Sequence, residues 1–212
     1  MCWTIFIPKN KLPASSLLTL PVLQELLTKI GENNHNHIKQ RAQGKYSGYW
    51  RRRRRLYRSR LRKQVVAIDN SQEELAEAPG GFEKVFMDAT NLKYENDCFG
   101  NVTFFYTLMY MTALEQAKAI SEAARVLKSG GTLAIWDCEI ASAYPDPFFV
   151  DVDVLMDGQK YHTTYGIIKR DAQDREQIEL LCSKVGLRLV NASSNAKHFN
   201  LYYEKDSGWR DS

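Results

Sequence analysis

The chain has 212 residues, of which 44% are hydrophobic and 11% aromatic, and its formal net charge is +4. That length can bury the core of one domain, and the composition excludes wholesale disorder. The four cysteines are scattered without a CxxC pair, which disfavours a zinc site or a disulfide framework and indicates a reducing compartment. Because no signal-peptide pattern and no apolar run of about 20 residues is present, we expect a cytoplasmic protein with no membrane segment.

The positive charge is confined to one segment. Residues 51–63 carry nine Arg and Lys side chains, and removing nine charges from +4 leaves −5 for the rest of the chain. The main body of the protein is therefore acidic. The basic segment needs an explanation of its own.

Helical and strand patterns alternate along most of the chain. The first is an apolar pattern at helical spacing over Leu17–Lys29, which stops before Gly31. The later helices are predicted over 71–78, 113–127 and 171–186. Strands are predicted over Val65–Asp69, Glu83–Ala89, Thr132–Glu139, 187–194 and 198–205, and a further strand lies within Asn101–Tyr110. Asp157-Gly158 lies between two alternating runs and predicts a hairpin over 150–166. The alternation predicts an α/β fold.

Four stretches appear in order at the spacing of a known family: VVAIDNS, VFMDATNL, NVTFFYTLMYM and ARVLKSGGTLAIWD. Together they resemble the class I S-adenosylmethionine-dependent methyltransferases, over Gln64 to Lys205. We accordingly expect a Rossmann-like sheet of seven mostly parallel strands, its last strand antiparallel, with a hairpin insertion after the fifth strand. A single domain would span 1–212, with an N-terminal helical segment (1–45), an anomalous basic stretch (46–63) and a recognisable core (64–205).

The resemblance implies a site for S-adenosyl-L-methionine. In that family an acidic residue at the end of the second strand holds the ribose hydroxyls, an acidic and a small residue after the third strand frame the adenine, and the segment after the fourth strand lines the methionine. The matching residues, and hence the expected cofactor site, are Asp69, Asn70, Asp88, Ala89, Phe105 and Tyr106. Each has an alternative interpretation: a carboxylate at a strand end often only caps a helix, and aromatic residues there are often core residues.

One family element is missing. The glycine-rich turn D-x-G-x-G-x-G belongs about 20 residues before the ribose-binding acid, because its backbone must approach the cofactor where a Cβ would clash. Residues 48–56 occupy that place, and they read GYWRRRRRL. Five arginines cannot form a close turn around the cofactor.

The genetic code suggests a reason. Trp50 has the single codon TGG, so a CGN codon for Arg51 forces glycine in the frame one nucleotide later. The shifted reading from Gly48 is D-I-G followed by small residues, and with CGG arginine codons it becomes D-I-G-G-G-G-G-G-F-I. Our hypothesis is that residues 46–63 are an out-of-frame translation of the cofactor loop.

The basic stretch also has a face-value interpretation. Arginines interleaved with Tyr49, Trp50 and Tyr57 are typical of segments that bind phosphates and stack on bases, so a nucleic-acid-binding protein or an RNA methyltransferase is the alternative function. A solvated loop is a third interpretation, since blocks of like charge repel.

No catalytic base can be assigned. Methyl transfer from a sulfonium needs mainly proximity and orientation, so no residue type is obligatory. Asp137, Glu139, Tyr144 and His162 lie at or after the end of the fifth predicted strand, and for each of them a role as a cap, core or surface residue is the favoured interpretation. His198 receives no role. The compact hairpin favours a small-molecule acceptor. We predict that there is no metal site, and we make no prediction about the oligomeric state.

Overall fold

The computed structural model describes residues 5–8, 65–77, 83–141, 144–156 and 159–206. The predicted helix over Leu17–Lys29 and the basic stretch 46–63 lie outside the described residues. Expectations for those two segments therefore remain predictions.

Nine strands and three α-helices make up the described chain. The strands are β1 Ile5–Pro8, β2 Val65–Asp69, β3 Glu83–Phe86, β4 Phe99–Phe105, β5 Leu127–Cys138, β6 Phe148–Met156, β7 Gln159–Ile167, β8 Leu187–Asn195 and β9 His198–Lys205. The helices are α1 Gln72–Glu77, α2 Ala113–Val126 and α3 Arg175–Ser183, with a 3₁₀ turn over Leu108–Tyr110. The predicted elements from Val65 onward all recur, with ends displaced by a few residues.

Seven of the strands form a mixed sheet in the order β3-β2-β1-β4-β5-β9-β8. The pairs β2–β3 and β4–β5 are parallel. Strand β1 is antiparallel to both neighbours, and so is β9. The α/β architecture, the antiparallel last strand and the hairpin of β6 and β7 agree with the prediction. The sheet was predicted to be mostly parallel. Among the described strand pairs, however, antiparallel pairs outnumber parallel pairs.

Strand β1 was missed by the sequence analysis, which assigned only a helical segment to the N-terminal region. Ile5 lies opposite Ile68 on β2 and opposite Phe104 on β4, so four residues join two parts of the sheet. A run of four residues has no periodicity that separates it from other apolar runs. Its partners are also distant in sequence, so its place in the sheet depends on tertiary contacts.

Helix α2 begins where the sequence predicted. The Thr112 side chain accepts the N–H of Glu115, and the Glu115 carboxylate accepts the N–H of Thr112, which completes a capping box. The helix buries Ala119, Ile120 and Ala123 against the sheet. It ends at Val126, one residue before the predicted end, because β5 already starts at Leu127.

The two glycines after Ser129 form an irregularity inside β5. Gly130 has φ +67°, which costs little only for glycine, and a Cβ on Gly131 would lie 2.9 Å from the carbonyl oxygen of Gly100. The pairing with β4 changes register here, between Phe99 and Asn101. This irregularity lets helix α2 pass directly into the sheet.

The core has two parts. The larger cluster lies between the sheet and helices α2 and α3, and includes Ile120, Leu133, Ile135 and Ile178. The smaller cluster combines sheet residues with residues of the β6–β7 hairpin; its members include Tyr106, Trp136, Cys138, Val150 and Ile167. The hairpin is therefore packed against the part of the sheet where β4 and β5 end.

Candidate functional site

Asp69 ends strand β2 and is almost completely buried. One of its carboxylate oxygens accepts the N–H of Ser71 at 2.8 Å, and the Ser71 hydroxyl accepts the N–H of Glu74 at 3.3 Å. The carboxylate thus organises the turn into helix α1. Asn70 follows it and is exposed.

The next strand end lies beside Asp69. Asp69 and Phe86 are register partners, and the N–H of Met87 donates to the carbonyl of Asp69 at 3.0 Å. Asp88 is exposed and its carboxylate accepts the N–H of Thr90 at 2.8 Å, whereas Ala89 is buried. The structure therefore brings the predicted ribose and adenine residues to adjacent strand ends.

Phe105 and Tyr106 are at the end of β4, on the other side of β1. Two strand spacings, about 10 Å, separate β2 from β4. Phe105 is half-buried and its ring meets that of Tyr106 edge-on, with 5.0 Å between centroids. The predicted site thus consists of two groups of residues at one edge of the sheet.

Tyr106 has a strained backbone. Its φ is +48°, a left-handed conformation that costs about 1–3 kcal/mol for a residue other than glycine. The N–H of Tyr106 donates to the carbonyl of Trp136 at 2.7 Å, which holds this conformation against β5. Such strain is concentrated at functional sites.

The Tyr106 hydroxyl lies 2.9 Å from Nδ1 of His198. Burial, followed by the negative charge of Asp137, raises the pKa of the Tyr106 phenol far above its ordinary value. The sequence analysis gave His198 no role. Yet β9 is antiparallel to β5, so the first residue of β9 lies at the edge where β5 ends, and strand direction alone could have indicated this position.

The inner face of the hairpin covers this pair. Tyr165 stacks on Tyr106 with 6.0 Å between ring centroids and an interplanar angle of 20°, and Tyr110 meets Tyr165 edge-on at 6.5 Å. Val150, opposite Tyr165, is buried. The end of β4 is therefore covered by aromatic and aliphatic side chains.

Three of the four other candidates point elsewhere. His162 and Asp151 form an exposed pair on the hairpin, with 3.6 Å between nitrogen and oxygen. Tyr144 packs under the Arg170 guanidinium, which also donates to its hydroxyl at 3.0 Å. Glu139 is exposed.

Asp137 is the fourth candidate, and it is fully buried. One carboxylate oxygen accepts the N–H groups of Leu108 (2.9 Å) and Met109 (3.3 Å). The other accepts the N–H of Cys138 (2.9 Å) and the side-chain amide of Gln173 (2.8 Å). Burial raises the pKa of Asp137 to about 6, although these hydrogen bonds oppose the shift. With four donors around it, this carboxylate positions the 3₁₀ turn.

Gln173 extends the Asp137 network to a lysine. Its side-chain oxygen accepts the Lys169 ammonium at 3.1 Å, and Gln116 also donates to it. Lys169 is buried, and desolvation lowers its pKa despite the nearby Asp137 carboxylate. The network therefore ties the chain that leaves the hairpin to the turn after β4.

Comparison with known proteins finds one family match over part of the chain. Residues 43–135 match the family model described as "Methyltransferase domain", a range that includes the basic stretch and ends in β5. No curated protein matches the chain. Over residues 43–135, less than half of the chain, the match agrees with the methyltransferase resemblance of the sequence motifs.

Solved structures with a similar fold include a Pyrococcus horikoshii protein at 15% identity, covering 66% of this chain and 73% of that one, with a TM-score of 0.48. An S-adenosylmethionine-dependent methyltransferase from Clostridium acetobutylicum is 14% identical, with 67% and 75% covered and a TM-score of 0.48. Another from Mesorhizobium loti is 11% identical, with 66% and 79% covered and a TM-score of 0.47.

The described residues fit the cofactor chemically. A carboxylate at a strand end, such as Asp69, is the acceptor that two vicinal ribose hydroxyls require. Ala89, whose side chain is a single methyl, follows Asp88 and is buried in the larger core cluster. Among the described residues, no group of three or more His, Cys, Asp or Glu side chains could hold a metal ion. No helix in the described ranges is long and apolar enough to cross a membrane.

Proposed function

We propose that this protein transfers a methyl group from S-adenosylmethionine to a small-molecule acceptor. The supporting observation is that the ends of β2, β3 and β4 lie at one edge of the sheet, with Asp69 and Asp88 on one side of β1 and Tyr106 on the other. Sheets of this kind bind ligands at the carboxyl ends of their strands. A compact two-stranded hairpin packs against Tyr106 at this edge, which favours a small-molecule acceptor.

In this proposal Asp69 and Asn70 hold the ribose, Asp88 and Ala89 frame the adenine, and Phe105 and Tyr106 line the methionine end. When bound, the cofactor supplies a methyl carbon activated by a positive sulfur. The protein contributes binding, orientation and exclusion of water. Asp137 has a positioning role, because its four hydrogen bonds hold the turn that follows Tyr106.

The same proposal includes a loss of cofactor affinity in the chain as it stands. Arginine lacks the backbone freedom of glycine and adds a Cβ and a long charged stem. Nine cations within residues 51–63 would also repel a positive sulfonium. The proposed out-of-frame reading of 46–63 therefore predicts that this chain binds the cofactor weakly. The family match gives no support to the nucleic-acid-binding alternative.

The test is calorimetric titration with S-adenosylmethionine and S-adenosylhomocysteine. We expect weak or no binding by the unmodified chain, and micromolar or tighter binding after residues 48–56 are replaced with the shifted reading. Tight binding by the unmodified chain would show that the explanation of the arginines is wrong. The nucleotide sequence is an independent check: arginine codons that do not yield D-x-G-x-G in the adjacent frame exclude a frame error.

A further inference from the structure

The central position of the sheet, between β2 and β4, is held by a strand that runs in the reverse direction. Ile5 lies opposite Ile68 on β2 and opposite Phe104 on β4, and Pro8 lies opposite Val65. Strand β1 is antiparallel to both neighbours, so β2 and β4 are parallel to each other. Ile5 therefore lies towards the edge where β2 and β4 end, and Pro8 lies towards the opposite edge.

A strand in this direction cannot lead into a ligand-binding turn at the site edge. In sheets of this kind such turns follow strands whose carboxyl ends lie at that edge, and they continue into a helix. The carboxyl end of β1 is Pro8, at the opposite edge. The cofactor turn proposed at 48–56 thus requires a different strand before it, parallel to β2.

That other strand has one position available beside β2. Residues 48–64 are long enough for a crossover between parallel strands, which takes about a dozen residues. Strands joined in this way usually lie side by side. One neighbour of β2 is β3, and the other is β1. Because two strand spacings, about 10 Å, separate β2 from β4, the gap between them takes one strand at a time.

We propose that the gap between β2 and β4 is a strand-binding site for which two segments of this chain compete, and that β1 in the gap excludes the cofactor. The occupant in the chain as it stands is β1, and its competitor is the segment that precedes residue 48. The proposal rests on the proposed function and specifies how its cofactor site is controlled. It makes β1 an autoinhibitory strand.

The composition of the two segments favours β1 as the occupant without cofactor. Ala67 and Ile68 on β2 point to opposite faces of the sheet and both are buried, so the gap has apolar surroundings on both faces. A strand in such a place needs a continuous apolar run. Strand β1 reads IFIP, whereas residues 41–47 read RAQGKYS.

Strand β1 is nevertheless short enough to be displaced. It has four residues and pairs with β4 at Thr103 and Phe104, two of the seven residues of β4. Its last residue, Pro8, has no N–H to donate to either neighbour. The cofactor binds the form in which the competitor leads into the restored turn, and this difference in affinity shifts the equilibrium away from β1. Cofactor and β1 therefore weaken the binding of each other.

A disulfide between β1 and β2 tests the competition in the full-length chain. Phe6 and Ala67 are register partners, and opposed residues of antiparallel strands have Cα atoms about 4.5–5.5 Å apart, which a disulfide can span. The variant carries the restored 48–56 turn, Cys2→Ser, Phe6→Cys and Ala67→Cys. We expect its oxidised form to bind S-adenosylhomocysteine about 5–150-fold more weakly than its reduced form, the usual range for coupling between two sites.

The matched control is a disulfide in an antiparallel pair away from the gap. Ser193 on β8 and Asn200 on β9 are register partners whose side chains are in hydrogen-bond contact at 3.2 Å. Ser193→Cys with Asn200→Cys, in the same restored protein with Cys2→Ser, should bind S-adenosylhomocysteine equally well when oxidised and when reduced.

Two further measurements follow β1 itself. In the unmodified chain without cofactor, the β1 amides should be protected from hydrogen exchange, and in the restored protein S-adenosylhomocysteine should lower that protection. Phe6→Pro removes an N–H from the middle of β1 and should tighten S-adenosylhomocysteine binding by the restored protein about 5–150-fold. Phe6→Leu keeps the N–H and an apolar side chain, so its affinity should stay close to that of the restored protein.

The outcomes separate the two proposals. Failure of both the restored protein and its Phe6→Pro variant to bind S-adenosylhomocysteine overturns the proposed function, and the competition falls with it. Equal binding by the oxidised and reduced β1–β2 variant, or unprotected β1 amides in the unmodified chain, overturns the competition and leaves the proposed function intact. An oxidised product with the mass of a dimer would show that a second copy supplies β1, which overturns competition within one chain.

Discussion

The carboxylate of Asp137 accepts the backbone N–H of Leu108 at 2.9 Å, so the end of β5 holds the turn that follows β4. Met109 donates to the same oxygen at 3.3 Å. Two N–H groups at the start of a short 3₁₀ turn are thus satisfied by a side chain 28 or 29 residues further along. Tyr106 lies just before this 3₁₀ turn and Tyr110 is its last residue, so the placement of both tyrosines depends on the turn.

Replacing Asp137 with alanine should therefore be strongly destabilising. The substitution leaves buried donors from Leu108, Met109, Cys138 and Gln173 without their acceptor, at about 1–3 kcal/mol for each group that stays unsatisfied. We expect a loss of about 3–5 kcal/mol in the free energy of unfolding, measured by urea denaturation. Asp146→Ala is the control, since Asp146 is exposed and should lose less than about 0.5 kcal/mol.

The raised pKa of Asp137 predicts a pH dependence. The folded protein binds this proton with a pKa of about 6, against 3.8 ordinarily, so between these values the native state holds more protons than the unfolded state. The free energy of unfolding should consequently fall as the pH rises from about 4 to about 6, by up to about 3 kcal/mol. Asp137→Asn cannot ionise. The free energy of unfolding of the wild type, minus that of Asp137→Asn, should therefore fall across this pH range. A constant difference across the range would contradict the prediction.

Arg125 ties the segment after β3 to helix α2. Its guanidinium donates to the carbonyls of Leu92 and Tyr94 and to the Glu122 carboxylate, an arrangement that needs a planar group with several donors. Arg125→Lys should cost about 1–3 kcal/mol in unfolding free energy. Arg188→Lys is a matched control, because Arg188 pairs with Glu204 on the surface and such pairs contribute about 0–1 kcal/mol. Equal effects of the two substitutions would show that Arg125 is only a surface residue.

Asp69 can be tested for cofactor binding separately from helix capping. In the protein with a restored turn, Asp69→Ala should weaken S-adenosylhomocysteine binding by about 10–100-fold, since each charge-assisted bond to a ribose hydroxyl contributes about 1.5–3 kcal/mol. Ser71→Ala removes the hydroxyl that accepts the N–H of Glu74 at the start of α1 without touching the carboxylate. It should leave binding within about threefold. Similar losses for both variants in calorimetry would assign Asp69 to the helix start alone.

The local elements of this protein follow from short-range patterns. The capping box of Thr112 and Glu115 marks the start of α2, and Asp157-Gly158 marks the hairpin, because both signals depend only on residues a few positions apart. The order of the matching motifs was enough to predict a methyltransferase domain, which the family match over residues 43–135 supports. The candidate residues at strand ends were likewise predictable, since each ends a recognisable strand.

Relationships between distant residues required the tertiary structure. The sequence by itself determined the strands and helices from Val65 onward and the identity of the acidic and aromatic residues at the strand ends. The place of β1 between β2 and β4, the enclosure of Asp137 by four donors and the meeting of Tyr106 with His198 across 92 positions were decided only by the fold. The reason is physical: helix and turn signals act within a few residues, whereas strand pairing and buried hydrogen bonds join groups whose separation along the chain has no local pattern.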